Sequence, residues 1–179
     1  LDVVTMVYAG LINKKIVARL QANNCNALGV TGADGNLIPA IKRPLKKIDY
    51  GFAGDIQPGD MMSMYWHELL TIGFTLVVAP ITHDGEGQLL NTNADTIAQE
   101  IAKTLSVLYD VTLIYSFEKS GVLLDVNNET SVIPVITPSD YKELKSTQPG
   151  GAGPKIFAGM IPKLDNAVAA LNSKLRHPR

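Results

Sequence analysis

Phe74-Thr75-Leu76-Val77-Val78-Ala79-Pro80, followed by Gln88-Leu89-Leu90-Asn91-Thr92-Asn93-Ala94-Asp95, is the stretch on which the fold turns. Its first part is apolar and rich in β-branched residues, and it reads as a buried strand. From Ala94 to Leu108 the apolar positions recur at helical spacing, which predicts an amphipathic helix. Two amides and a carboxylate therefore stand at every second position where a sheet edge meets a helix start. In alternating layer folds ligands collect there, outside the strand ends and beside the orphan N–H groups of a helix. Asn93 or Asp95 alone suffices as a helix cap. Asn91 and its partners want another reason, and ligand binding supplies one.

Upstream, residues 2 to 22 carry Val3, Val7, Leu11, Ile12, Ile16 and Leu20 at helical spacing. Residues 26 to 30 read as a buried strand that runs into Thr31-Gly32-Ala33-Asp34-Gly35-Asn36, where the Asp-Gly pair predicts a hairpin. Residues 37 to 41 and 47 to 52 are its expected strands, with Pro44 in the connection, and residues 55 to 60 a polar turn. A helix over 61 to 72 then ends at Gly73. Downstream, the pattern predicts a strand over 75 to 81, a loop to Asn93 and the helix from Ala94. Further buried strands are expected at 111 to 115 and, as part of a second hairpin, at 121 to 124. Ser139 is the expected cap of a helix reaching Lys145. A glycine- and proline-rich loop from Ser146 to Pro154 separates it from a closing helix over 160 to 175. Strands alternating with helices, interrupted by hairpins, predict an α/β three-layer sandwich with a mainly parallel central sheet. A single domain over 1–179 is expected.

The 179 residues carry a net charge of -1, 46% hydrophobic and 18% charged residues. That balance gives no electrostatic footprint for nucleic acid or an anionic membrane. The basic run Lys42-Arg43-Pro44-Leu45-Lys46-Lys47 reads as a solvated hairpin. Cys25 is the single cysteine, so no internal disulfide forms, and it reads as a packing residue. No apolar run has the length of a membrane span and no leader is evident, which makes the cytoplasm the expected compartment. Both ends look cut: the chain starts at Leu1 and stops after Arg176-His177-Pro178-Arg179.

Phosphoryl transfer needs cations, backbone N–H groups and something to orient them. Lys163 lies in Gly159-Met160-Ile161-Pro162-Lys163, at the expected start of the last helix, where a cation opposes the helix dipole. An anion shared between the lysine and the free N–H groups gives it a reason; a snorkelling surface lysine is the plain alternative. Thr31-Gly32-Ala33-Asp34-Gly35 reads as an anion nest or, more simply, a turn. His83-Asp84 resembles half of a metal site, but His67 and His177 lack ligand spacing, so no protein metal site is expected. No Ser-His-Asp or Cys-His arrangement and no GxxxxGK[ST] loop is present.

Five stretches, read in order, resemble the acetylglutamate kinases of the amino-acid kinase family: Ala9-Gly10-Leu11-Ile12-Asn13-Lys14-Lys15-Ile16-Val17, Leu28-Gly29-Val30-Thr31-Gly32-Ala33-Asp34-Gly35, Ala79-Pro80-Ile81-Thr82-His83-Asp84-Gly85-Glu86-Gly87-Gln88, Asn91-Thr92-Asn93-Ala94-Asp95, and Gly159-Met160-Ile161-Pro162-Lys163-Leu164-Asp165-Asn166-Ala167. The resemblance covers nearly the whole chain. It implies the amino-acid kinase fold, incomplete here, and transfer of the γ-phosphate of ATP to the side-chain carboxylate of N-acetylglutamate in arginine biosynthesis.

The resemblance assigns Asn91 and Asn93 to the substrate, Asp95 to orienting the catalytic lysines, and Lys163 to stabilising transition-state charge. It places ATP over residues 90–179, against Ser116, Phe117, Glu118, Gly121, Phe157, Gly159 and Met160. Magnesium is expected on the nucleotide phosphates. The match begins after the family's lysine-glycine phosphate loop and its glycine-pair loop, and the family's final strand is also missing. Residues 1–179 alone are therefore expected to be inactive. A homodimer or higher homo-oligomer is expected, with no nucleic-acid or membrane partner. An N-succinylglutamate kinase, another amino-acid kinase, and a non-catalytic regulatory or assembly subunit remain the alternatives. Retention of both Asp95 and Lys163 argues against the last.

Overall fold

A computed structural model describes residues 1–125, 127–146, 156 and 160–174. The chain forms two compact units, Leu1–Val111 and Thr112–Arg179. The first opens with a helical rod: α1 (Asp2–Thr5), a π-helical segment (Met6–Ile12) and α2 (Asn13–Ala22). Backbone angles at both joins are right-handed helical, so the rod runs on without a break. Its inner face is Asn13, buried, with Val17 and Leu20 half-buried, and α2 lies against β1 (Ala27–Val30) and β4 (Thr75–Val78). The Asn13 side-chain amide donates to the Val77 carbonyl at 2.8 Å, and the Lys14 ammonium donates to the Gly29 carbonyl at 2.9 Å. The helical spacing read over residues 2 to 22 holds. Its apolar stripe faces outward, with Val3, Met6 and Leu11 exposed by 68%, 63% and 51%.

Strands β1 and β4 pair in parallel, Ala27 opposite Thr75 and Val30 opposite Val78. The crossover between them carries β2 (Ile41–Lys42), antiparallel to β3 (Gly54–Asp55), and α3 (Ser63–Thr71), which Gly73 closes at φ 97°. Arg43, beside that pair, forks onto the Asp55 carboxylate at 2.6 to 3.1 Å and stacks over Tyr50. Buried Val30, Leu37, Ile38, Met61, Trp66 and Ile97 form the core, with Leu69, Leu76, Val78 and Ile101 packed against it. Trp66 on α3 is the largest fully buried side chain, at 2% exposure. Truncating it to alanine costs about 3–5 kcal/mol.

In the first unit the short pair β2 and β3 replaces the strands expected over 37 to 41 and 47 to 52, and the two Asp-Gly pairs depart from the sequence expectation for opposite reasons. The Asp34-Gly35 pair makes a 3-10 turn (Asp34–Asn36), not a hairpin. The Asp34 carboxylate folds back onto the Thr31 amide (2.6 Å) and hydroxyl (2.8 Å), and the chain then buries Leu37 and Ile38. The stretch expected as a loop before Asn93 instead holds a hairpin: β5 (Ile81–His83) runs antiparallel to β6 (Leu89–Asn91). Its Asp84-Gly85 turn has Gly85 and Gly87 at φ 82° and 102°. Isolated parallel bridges join the hairpin to Pro39 on one side and Ala53 on the other. Helix α4 (Ala94–Leu105) follows, packed on α3.

In the second unit the expected strand over 111 to 115 forms no ladder among the described residues, although its exposure alternates residue by residue. An extended segment becomes a strand only when a neighbour satisfies its amides. Leu123 and Val132 make one antiparallel bridge, flanked by amide bonds from Leu124 to Ser131 and from Ile133 to Val122, at the site of the expected second hairpin. Helix α5 (Pro138–Lys145) is capped by Thr137, not Ser139: the Thr137 hydroxyl accepts the Asp140 amide, and the Asp140 carboxylate accepts the Thr137 amide. Pro138 occupies the first helical position, where its missing N–H costs nothing. Helix α6 spans Ile161–Lys174.

Candidate active site

The junction of β6 and α4 brings Asn91, Asn93 and Asp95 together. Exposure alternates along it: Leu90 and Thr92 are buried, while Asn91 and Asn93 are exposed. That is the period of an extended chain, so both amides share the open face. Asn91 donates its backbone amide to Phe52 at 2.8 Å, and Thr92 donates to Pro80 at 3.1 Å. Below them the Thr82 and Thr92 hydroxyls meet at 2.8 Å, and the Thr92 hydroxyl reaches the Gly54 carbonyl at 3.1 Å.

Asn93 is the N-cap of α4. Its side-chain oxygen accepts the Thr96 amide at 3.1 Å. The same amide is an expected substrate ligand, and its NH2 group keeps two donors for that purpose. Asp95 is half-buried in the first turn of α4, where a carboxylate is favoured by the helix dipole. The junction thus offers amide donors, the amides of a helix start and one carboxylate on a rigid frame. That donor set suits an amide-bearing carboxylic acid.

Lys163 is the third residue of α6, half-buried, with its ammonium 5.9 Å from the centre of the Tyr115 ring. A cation over an aromatic face explains how a lysine is tolerated in a first helical turn. Met160 precedes the helix and is half-buried. Ser116 and Glu118 are exposed, and Phe117 and Gly121 half-buried; a Cβ on Gly121 would stand 2.7 Å from Val132. Phe157 and Gly159 lie outside the described residues, as does most of the loop after Ser146.

Other candidates of the sequence are spoken for locally. The Thr31–Gly35 nest holds the chain's own anion, the Asp34 carboxylate. The Asp84 carboxylate accepts the Glu86 and Gln88 amides at 2.8 and 3.0 Å, and these bonds hold it below the usual carboxylate range. No cluster of three potential metal ligands occurs among the described residues. No described helix is long and apolar enough to cross a membrane.

The sequence reading missed the cluster on which α6 starts. Tyr141 places its hydroxyl 2.9 Å from the Asp165 carboxylate and 3.2 Å from the Ile161 carbonyl, and Lys145 binds the same Asp165 oxygen at 2.6 Å. These groups border a cleft of about 440 Å³ between α5 and α6. The four-residue step from Tyr141 to Lys145, facing an aspartate two residues past Lys163, was the available signal.

Comparison with known proteins gives a consistent picture. Residues 1–177 match the amino acid kinase family. An acetylglutamate kinase from Phocaeicola vulgatus is 54% identical over 97% of this chain and 64% of its own length. Another from Cytophaga hutchinsonii is 53% identical over 97% of the chain and 63% of its length. A third, from Methanopyrus kandleri, is 34% identical over 98% of the chain and 69% of its length. The chain thus spans somewhat less than two thirds of the more similar relatives. The crystal structure of smu.665 from Streptococcus mutans shares the fold, with a TM-score of 0.66 at 22% identity over 94% of this chain and 62% of that one.

Proposed function

Since the chain belongs to the amino acid kinase family, we propose that it is the larger part of an enzyme that phosphorylates the side-chain carboxylate of N-acetylglutamate with ATP. The observation that carries this reading is the shared open face of Asn91 and Asn93 at the β6–α4 junction. Relatives 53–54% identical and named acetylglutamate kinase support N-acetylglutamate as the substrate. The place in arginine biosynthesis follows from that substrate.

Asn91 and Asn93 would hold the acyl-amino acid through their amide groups, on a backbone already fixed by Phe52, Pro80 and Gly54. A carboxylate oxygen of the substrate attacks the γ-phosphorus; the bond from that phosphorus to the bridging oxygen breaks, and ADP carries away the electron pair. Charge on the transferring oxygens would be met by Lys163, and Asp95 would orient the ammonium groups around it. Ser116, Phe117, Glu118, Gly121, Phe157, Gly159 and Met160 are the nucleotide contacts of this reading. Magnesium held by the nucleotide phosphates would supply further positive charge.

The exposed apolar stripe of the N-terminal rod supports pairing with a second copy. The cytoplasm is the compartment we propose for a biosynthetic role of this kind. The test is formation of a hydroxylamine-trapped acyl phosphate by the longest natural polypeptide carrying this chain, offered N-acetylglutamate and N-succinylglutamate. Product from the acetyl compound supports the proposal, preference for the succinyl compound moves it to the sister substrate, and product from neither refutes it.

A further inference from the structure

We infer that Thr92 is a positioning residue, its buried hydroxyl fixing where the Asn91 and Asn93 side chains stand on the open face. This rests on the acyl-amino-acid reading of that face. Thr92 is 4% exposed and Thr82 0%, so neither hydroxyl exchanges its partner for water. Each hydroxyl has one proton. The Gly54 carbonyl can only accept, so Thr92 donates to it at 3.1 Å and Thr82 donates to Thr92 at 2.8 Å. The result is a directed chain, Thr82 to Thr92 to Gly54, tying β5, the end of β6 and β3 to one point.

That point lies between the two amides. Asn91 is held from one side through its amide bond to Phe52, and Thr92 from another through its bond to Pro80. The hydroxyl chain supplies the restraint from beneath. Two valines would fill the same space but take this donor away from the Gly54 carbonyl, so the threonines do more than fill space. Directional bonds define an orientation that apolar contact leaves soft, and a site tolerates little error in its donors. Gly54 belongs to the device: a Cβ there would stand 2.6 Å from the Thr92 hydroxyl oxygen and 2.9 Å from that of Thr82. Only a bare backbone lets β3 come close enough for its carbonyl to be the acceptor.

The experiment compares Thr92→Val, Thr92→Ser and Thr82→Val with the unaltered full-length polypeptide, measuring KM for N-acetylglutamate and for ATP separately. Thr92→Val keeps the shape and removes the hydroxyl; it should raise the acceptor KM about five- to tenfold and leave the ATP KM within about twofold. Thr92→Ser keeps the hydroxyl and should restore the acceptor KM. An unchanged acceptor KM in Thr92→Val, an equal rise in both KM values, or failure of serine to rescue overturns the inference. If Thr92→Val does not fold, Thr82→Val decides. It leaves the bond to Gly54 in place and should raise the acceptor KM about two- to threefold, and no rise refutes the role. An unaltered protein that phosphorylates neither acyl-glutamate brings down the functional reading and this inference with it. An active one with normal Thr92→Val kinetics brings down the inference alone.

Discussion

Lys145 Nζ and Tyr141 Oη meet on the same oxygen of Asp165, at 2.6 and 2.9 Å, so one carboxylate on α6 gathers two groups of α5. Partial burial pushes the Asp165 carboxyl up, but the bonds from Lys145 and Tyr141 outweigh it and hold the group below its ordinary 3.8. Burial first, then the bond to Asp165, pushes the Tyr141 hydroxyl up, so it remains a donor throughout the physiological range. A depressed carboxyl stabilises the fold above its unfolded value, and that contribution disappears as pH falls through the folded value. Both charged partners are 45% exposed, so solvent screens the pair and its share stays below about 1 kcal/mol. Urea unfolding of Asp165→Asn should therefore match the natural protein near pH 2 and show a shallower loss than the natural protein between pH about 5 and 3. Parallel acid profiles for the natural protein and Asp165→Asn would contradict the ion pair.

Gly54→Ala should be among the more damaging single-methyl additions in the first unit. The new Cβ would stand 2.6 Å from the Thr92 hydroxyl, 2.8 Å from Leu90 Cβ and 2.9 Å from the Thr82 hydroxyl. Leu90 and Thr82 are both 0% exposed, so neither can swing out into solvent to make room. Overpacking of this kind costs about 1–3 kcal/mol. Chemical denaturation gives the value, and a loss under about 0.5 kcal/mol would mean that β3 shifts to make room. Gly35→Ala makes a useful contrast, because nothing lies within 4 Å of its Cβ position and only its φ of 57° opposes the change.

Much of this arrangement was legible in the sequence because periodicity reports burial. The strand from Thr75, the helix from Ala94, the N-terminal helix and the stop at Gly73 all start or end where the pattern put them. The Asp-Gly pairs show where such reading ends. At Asp34 the aspartate is claimed by Thr31 and the following Leu37 and Ile38 are claimed by the core, so the turn does not open into a hairpin. At Asp84 the flanking Thr82 and Leu90 are cross-strand partners, both buried on one face of a ladder, and the hairpin forms. The dipeptide is the same; the tertiary partners decide. At the site, the alternation of Asn91 and Asn93 was visible, whereas the hydroxyl chain beneath them joins residues 38 positions apart in sequence and carries no local signal.

Asn93 has two duties that a pair of substitutions should separate. As N-cap it binds the Thr96 amide, and Asn93→Ala should cost about 1 kcal/mol. Asn93→Asp keeps the cap and adds a negative charge that favours the helix start but opposes a carboxylate substrate. It should leave thermal stability within about 0.5 kcal/mol of the natural protein while raising the acceptor KM about tenfold or more. An unaltered acceptor KM would remove Asn93 from the substrate site and leave it a cap alone.

Lys163→Ala tests the charge-stabilising role most directly. The ammonium lies over the Tyr115 ring, an interaction worth about 0.5–1 kcal/mol at a partly exposed position, so the alanine variant should fold. Removing a group that meets developing charge should lower kcat by about 10²-fold or more while changing either KM little. Lys163→Arg should recover only part of the loss, because a planar fork does not place its charge where a point ammonium does. A variant that unfolds, or one that keeps full turnover, would make Lys163 a packing residue.

The exposed stripe of the N-terminal rod leads to the last expectation. Val3, Met6 and Leu11 expose 68%, 63% and 51% of their surfaces, and Val7, Ile12 and Ile16 add to the same helical rod at 38 to 43%. Apolar area of this kind costs about 25 cal/mol per Å² when left in water. A second copy laid against the stripe would remove it from solvent on both chains at once, since a two-fold interface uses one patch twice. Met6→Glu and Leu11→Lys, introduced separately, would each place like charges opposite one another across such an interface. Each should lower the dimer fraction in sedimentation at micromolar concentration, and mixing the two variants should restore it through opposite charges. A natural protein that sediments as a monomer at every concentration, or variants that dimerise alone as well as mixed, would leave the stripe without this role.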